Sequence, residues 1–180
     1  MKMLAFLMSN ITLHPIAEAD AAEVLQFELE NRAFFERTLP SLGDADFTLA
    51  ATASTLAERE KAWEEDASYH YLARQDKELV GCIGLYGVQR GPAQKAEVGY
   101  RIAERHSGKG YAKSAAALAA NEAFGTHGLH RIEGVTSPEN LASQLVLLKN
   151  GFTFWGRSRR SYLLNGVWED CLFFERLADE

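Results

Sequence analysis

The spacing of apolar residues changes period several times along the chain. Residues 11 to 16, ITLHPI, read as a strand, and EADAAEVLQFELENRAFFERT then puts Ala21, Val24, Leu25 and Leu29 on one face of a helix. Residues 53 to 67, ASTLAEREKAWEEDA, keep the helical period with more polar residues, which predicts a second helix on the outside. From Tyr69 the runs become strand-like: YHYLARQ, a turn at DKE, LVGCIGLYGVQ, a loop, and KAEVGYRIA. Short turns join these three neighbours as an antiparallel meander. A third helix is expected from Gly108 to about His127, with Gly128 as a left-handed C-cap. HRIEGVTS follows as a strand and PENLASQLVLLKN as a helix ending at Gly151. FTFWGRSRRSYLL and VWEDCLFFERL form a hairpin turning at Asn165 and Gly166. The order β-α-α-β-β-β-α-β-α-β-β predicts an α+β sandwich, with helices over a mainly antiparallel sheet.

Composition narrows the class. A length of 180 residues without repeats, low-complexity tracts or Pro/Gly linkers predicts one domain over residues 1 to 180. The 47% hydrophobic and 24% charged fractions are those of a soluble globular protein. A formal net charge of −6 argues against a protein whose main task is holding nucleic acid, and leans toward a basic or amine partner. Cys82 and Cys171 stand far apart inside apolar runs, so both are expected as buried, reduced thiols of a cytoplasmic protein. The histidines form neither HExxH nor a pairing with cysteine, so no metal is expected. The opening MKMLAFLMSN is too short to span a bilayer and lacks a small-residue cleavage signal, so no membrane association is expected. Because MSNITLHPIAEAD opens directly into a strand and a helix cap, translation from Met1 and from Met8 both stand as readings.

The stretch that carries chemistry is ERHSGKGYAK, residues 104 to 113, between a strand and an Ala-rich helix. Gly108 and Gly110 at that junction present free backbone N–H groups at the positive end of a helix dipole, an anion site whose usual occupant is phosphate. Glycine permits both the turn and close approach of the backbone to the ligand. A plain strand-to-helix turn explains the same pair. The nucleotide P-loop is excluded, because Gly110 follows Gly108 and Lys109 where Ser or Thr is needed. The dinucleotide fingerprint is excluded by Lys113, which stands where a third Gly or Ala belongs, and by the preceding meander.

What is left, Arg105-x-x-Gly108-x-Gly110-x-Ala112, resembles the acetyl-CoA signature of the GNAT family of acetyltransferases, (Q/R)xxGx(G/A). AEVGYRIAE looks like that family's central strand and HRIEGVTSPEN like the next strand, diverging from it. ENLASQLVLLKNGFTFWG looks like the helix-and-strand element whose Asn, here Asn140, helps to hold CoA. Within the family, LENRAFFERTLP and SYLLNGVWED resemble the RimJ and RimL branch of ribosomal-protein N-acetyltransferases. The resemblance implies a mixed sheet with splayed central strands, acetyl-CoA as cosubstrate and a primary amine as acceptor. The acceptor it implies is the α-amine of a protein N-terminus such as a ribosomal protein. A small amine acceptor, and a regulatory module that binds acyl-CoA without turnover, are the competing readings.

Transfer of acetyl from a thioester to an amine asks for a held diphosphate, a polarised carbonyl, a neutral amine and a proton for the departing sulfur. The diphosphate is assigned to amides from about His106 through Ser107, Gly108, Lys109, Gly110 and Tyr111 to Ala112, with Lys109 or Lys113 adding charge. If the strands splay, the backbone of Tyr100, Arg101, Ile102 and Ala103 is freed to pair with the pantetheine arm, and the N–H of Arg101 or Ile102 faces the thioester oxygen. Gly99 is expected as a bulge or a packing glycine. Glu97, near the split, is the candidate base. By resemblance to the RimL branch, Ser143 is the candidate acid. Tyr162 replaces the Glu proposed there as base and matches the RimJ-like tail, where it shapes the acceptor pocket. Glu30, Asn31 and Arg32 line the acceptor slot by the same analogy. Exposed-looking Trp155 and Trp168 leave both a monomer and a homodimer open.

Overall fold

In a computed structural model of the chain, residues 10–179 are described, so the choice between Met1 and Met8 lies outside the described residues. The elements run β1 (Thr12–Pro15), α1 (Ala21–Phe35), α2 (Leu49–Glu64), β2 (Tyr69–Gln75), β3 (Glu78–Gln89) and β4 (Lys95–Ile102). They continue as α3 (Tyr111–Asn121), β5 (Arg131–Thr136), α4 (Leu141–Lys149), β6 (Thr153–Leu164) and β7 (Val167–Leu177). The strands form one seven-stranded sheet in the order β1-β2-β3-β4-β5-β7-β6. Every neighbouring pair is antiparallel except β4 and β5, where α3 supplies the crossover that a parallel pair requires.

Alternation along the strands feeds two cores. In β2, Tyr69, Tyr71 and Ala73 face the core beneath α3, while Leu72 faces the one beneath α1 and α2. In α3, Ala115, Ala116, Ala119 and Ala120 are buried against the sheet, their small side chains letting the helix lie close to it. The decisive feature is where β4 and β5 part. They pair only at Lys95↔Arg131, Ala96↔Ile132 and Glu97↔Glu133, while β5 stays paired with β7 as far as Thr136. Past Glu97 the edge of β4 facing β5 has no ladder partner.

Several sequence expectations are corrected. The inner stripe of α1 is Ala21, Val24, Phe27, Asn31 and Phe35, and Leu29 is 50% exposed. Two residues along a helix is about 200° of rotation, so Leu29 cannot share a face with Phe27 or Asn31. A polar Asn31 in that stripe hid it from the apolar pattern. Its Nδ2 donates to the Phe27 carbonyl at 2.8 Å, and its Oδ1 accepts from Glu104 N–H at 2.9 Å, fixing α1 to the loop after β4. The second helix starts at Leu49, earlier than expected, because the Thr48 side chain accepts from Ala51 N–H as an N-cap. The third ends its α-helical part at Asn121 and continues as a π-type turn, Glu122–Thr126. Gly99 is no bulge: it pairs in register with Gly84, and a Cβ there would lie 3.1 Å from the Tyr86 ring.

Candidate active site

A cavity of about 420 Å³ occupies the split between β4 and β5 and reaches from the α3/α4 side of the sheet to the α1 side. On the first side, the loop into α3 turns through Gly108 at φ 74° and Gly110 at φ 84°, values that favour glycine. Nothing lies within 4 Å of where a Gly108 Cβ would stand, so the turn faces open space. The first rung of α3 is Ser114 N–H to the Gly110 carbonyl at 3.0 Å. The amides of Tyr111 and Ala112 therefore lie ahead of the helical ladder at the positive end of the dipole. An open glycine turn at a helix start fits a phosphate anion.

The side chains around that turn are arranged differently from the expectation. Ser107 and Ala112 line the cavity and Lys109 is exposed. Arg105 instead pairs with Glu30 at 3.0 Å and with Glu78 at 2.9 Å. His106 is buried with Nε2 3.0 Å from Glu78 Oε1, and the Tyr111 hydroxyl donates to Gln75 in the interior. Ala103 is wholly buried in the α1-side core. Glu78, at the turn between β2 and β3, holds the Arg105 and His106 side chains away from the cavity. The backbone corrects the expectation too: Ala103 N–H donates to the Val80 carbonyl, His106 N–H to the Ala103 carbonyl and Ser107 N–H to the Glu104 carbonyl, which leaves the amides from Gly108 to Ala112 to meet a ligand.

Where the strands part, α4 begins. The Asn140 side chain accepts from Ser143 N–H at 3.1 Å, capping the helix and placing Ser143 in its first turn. Ser143 Oγ lies 3.0 Å from the Tyr100 hydroxyl, across the split from β4 to α4. Burial pushes the Tyr100 phenol up to about 12, with the Ser143 hydrogen bond opposing. Tyr100, Asn140 and Ser143 all line the cavity. The Tyr100 hydroxyl is a group sequence reasoning missed. The residue was singled out for its backbone, and nothing local signals a side-chain contact between residues 43 apart.

On the α1 side, Glu97 and Tyr162 line the same cavity. Burial and the facing Glu133 carboxylate raise the Glu97 pKa, with Lys95 opposing. Burial, then Cys171, Glu169 and Glu97, raise that of Tyr162, which couples the hairpin to β4 electrostatically. The Arg101 side chain runs under α1 with Nη2 2.6 Å from Glu28 Oε1. Burial raises the Glu28 pKa in spite of that guanidinium. A second hollow of about 240 Å³ adjoins the first through Phe35, Leu39 and Arg101, and is completed by Glu28, Arg32, Leu42 and Phe47 among others. Of the three helix residues expected to line the acceptor slot, only Arg32 reaches a hollow. Glu30 is held by Arg105 and Asn31 is buried. The tip of the β6–β7 hairpin closes over α1, Asn165 Nδ2 donating to the Glu36 carbonyl at 3.0 Å.

A ladder that opens between two parallel strands beside a glycine-turned helix start is the frame of an acyl-CoA-dependent N-acyltransferase. The acetyltransferase (GNAT) domain family matches residues 10–153, and the chain belongs to that family. The probable N-acetyltransferase YjcK of Bacillus subtilis (strain 168) is 36% identical over 163 residues, 89% of this chain and 90% of its own length. The ribosomal protein uS5-alanine N-acetyltransferase of Escherichia coli (strain K12) is 24% identical over 163 residues, 89% of this chain and 84% of its own. Mycobacterium smegmatis RimJ in complex with CoA-disulfide superposes with a TM-score of 0.89 at 27% identity, over 94% of this chain and 82% of that one. The protein is thus an acetyl-CoA-dependent N-acetyltransferase with RimJ/RimL-type relatives. Among the described residues no group of His, Cys, Asp and Glu is placed to hold a metal ion, and no helix is long and apolar enough to cross a membrane.

Proposed function

We propose that the chain works as one acetyltransferase domain that acetylates the α-amine of a polypeptide N-terminus, a ribosomal protein being the acceptor its relatives' names suggest. The observation that carries this reading is the paired hollow on the α1 side. Beyond the cavity at the split, the second hollow of about 240 Å³ continues past Arg101, giving room for residues that follow the reacting amine. A small amine needs no such extension. A ribosomal-protein acceptor places the reaction in the cytoplasm.

The roles follow the two sides of the split. The amides of Gly108 to Ala112, with Gly108 and Gly110 at positive φ, hold the diphosphate, and the edge of β4 from Tyr100 to Ile102 that faces away from β3 offers backbone partners to the pantetheine arm. When bound, acetyl-CoA supplies the activated acyl group. Glu97, its carboxyl raised in pKa, takes the proton of the entering amine, while Ser143 gives its proton to the departing sulfur. Asn140 fixes Ser143 by capping its helix. Tyr162 walls the acceptor entrance.

Thiol release from acetyl-CoA, measured with a panel of N-terminal peptides and small amines, tests the reading. Peptides carrying a free α-amine are expected to be acetylated with kcat/KM about tenfold or more above that for small amines, since contacts with following residues add binding in the transition state. Turnover on small amines alone, or CoA binding without turnover on any amine, overturns it.

A further inference from the structure

The hollow beside Arg101 is walled by the apolar side chains of Phe35, Leu39, Pro40, Leu42 and Phe47, together with four charged ones, Glu28, Arg32, Glu36 and Arg101. Those four charges are already answered inside the protein. Arg32 engages all three guanidinium nitrogens, with Nε 2.9 Å from Glu36 Oε1, Nη1 2.8 Å from Asp44 Oδ1 and Nη2 3.4 Å from the Leu42 carbonyl. Its guanidinium lies over the Phe47 ring, 4.2 Å from the centroid. Arg101 Nη2 meets Glu28 Oε1 at 2.6 Å, and that oxygen is closed to solvent, so no ligand group reaches it. The Arg32 contacts also tie the loop after α1 to the helix at Leu42 and Asp44. Leu42 is held 49% exposed at the rim, and the hollow is formed before anything enters it.

We infer that this hollow is a subsite for one aliphatic side chain of the acceptor, so that the favoured acceptors carry a residue of leucine or methionine size among their first three. This rests on the peptide acceptor proposed above and adds to it which side chains the protein selects. A charged side chain entering the hollow gives up water and finds the opposite charges already paired. An aliphatic one gives up no hydrogen bond and covers five apolar neighbours. The volume of about 240 Å³ lies below the range of about 300 Å³ and more that holds drug-sized ligands, and it suits a single side chain. Phe35, Leu39 and Arg101 line both this hollow and the cavity at the split, so the subsite begins where the space for the reacting amine ends.

The test uses the full chain and two kinds of measurement. Alanine-based hexapeptides with a free α-amine carry leucine, methionine, lysine, aspartate or glycine in turn at the first, second and third positions. At one of these positions leucine and methionine are expected to raise kcat/KM about tenfold over glycine, the low end for burying such a side chain, mainly through KM. Lysine and aspartate are expected to give no gain. Leu42 lines this hollow and not the cavity at the split, and its exposure leaves room for substitution. Leu42→Asp, which charges the wall, and Leu42→Trp, which fills the space, are each expected to bring the leucine-to-glycine ratio down to about twofold or less. A ratio read within one variant is blind to a change in overall activity. The second measurement needs no turnover: calorimetric affinity of the CoA-saturated protein is expected to be about tenfold tighter for hexylamine than for propylamine, and Leu42→Asp should remove most of that difference. Equal kcat/KM for leucine and glycine at all three positions, a preference for lysine or aspartate, or a leucine preference untouched by both variants overturns the subsite. If no peptide is acetylated, the proposed function falls, and the two amines still decide the subsite, equal affinities overturning it.

Discussion

The two walls of the cleft are held by different kinds of interaction. The wall of α3, α4 and the loop before α3 is set by backbone: two glycines at positive φ, a helix start and an Asn140 cap on its own first turn. The opposite wall, from α1, the loop after it and the β6–β7 hairpin, is set by side chains arriving from distant parts of the chain. Glu28 meets Arg101 there, and Asn165 reaches Glu36 across 129 residues of sequence. A site made of local backbone geometry needs a few residue types at fixed spacing. A site made of long-range side-chain meetings is tuned one contact at a time. The first wall suits a cosubstrate common to the family, and the second is where acceptor preference is free to vary.

The largest expected effect lies in the second wall, at the buried ion pair. The pair is not symmetric, because Glu28 can go neutral while Arg101 cannot. Glu28→Leu leaves a guanidinium under α1 without its carboxylate and is expected to cost about 3 kcal/mol of unfolding free energy. Arg101→Met leaves a carboxyl already raised in pKa by burial, which takes a proton, so its cost is expected to be about half as large. Urea unfolding of both variants at pH 7 checks the order. Equal losses would mean that the pair sits in water and that this wall is not held by side chains in the way described.

Next is the first wall. Gly108→Val or Gly110→Val places a β-branched residue at positive φ, a strain of about 1–3 kcal/mol, and puts a side chain before the phosphate cradle. Acetyl-CoA affinity is expected to fall about 100-fold, with the melting temperature lowered by a few degrees by the backbone strain. Calorimetric titration checks it, and unchanged affinity in both folded variants would remove the cradle from the site. Set beside the ion-pair variants, the outcome should be reciprocal. Breaking the cradle costs cosubstrate binding first, and breaking the pair costs stability first.

The same contrast explains what could be read from the chain. Strand and helix order was legible because period and turn residues are local, whereas the splay of β4 from β5 was implied by the family resemblance and not by period or turns. Gly108 and Gly110 were legible because only backbone and φ are at stake. Leu29 misled because buried Asn31 interrupts the apolar stripe of α1. The side-chain positions of Arg105, His106 and Tyr111 were not legible, because the capture of the first two by Glu78, and of Tyr111 by Gln75, is decided in the fold. The Tyr100–Ser143 contact and the Arg101–Glu28 pair were invisible for the same reason: neither residue's neighbours in sequence say which strand or helix will face it.

The smallest effect is a pH dependence at a histidine outside the cleft lining that feels the charge of Arg101 from the second wall. His70 on β2 packs edge-on against the Tyr86 ring at 4.9 Å between centroids, with Nε2 3.0 Å from Ser68 Oγ. Burial, then the positive charges of Arg59 and Arg101, push its pKa down to about 4 from an ordinary 6.5. Between those two values the unfolded chain binds a proton that the native protein refuses, so stability is fully present above pH 6.5 and is lost as pH falls through the window. About 1–2 kcal/mol is expected to go between pH 7 and pH 5. His127 is also shifted down, by burial first, and loses stability in the same direction. It is the control, because it sits at the far end of α3 against Tyr69 and Tyr71. Unfolding free energies at pH 7 and pH 5 are expected to differ much less in His70→Gln than in the unmutated protein, and His127→Gln should keep most of the difference. If His127→Gln removes the slope and His70→Gln does not, the neutral histidine that matters is the one at the end of α3 and not the one near Arg101.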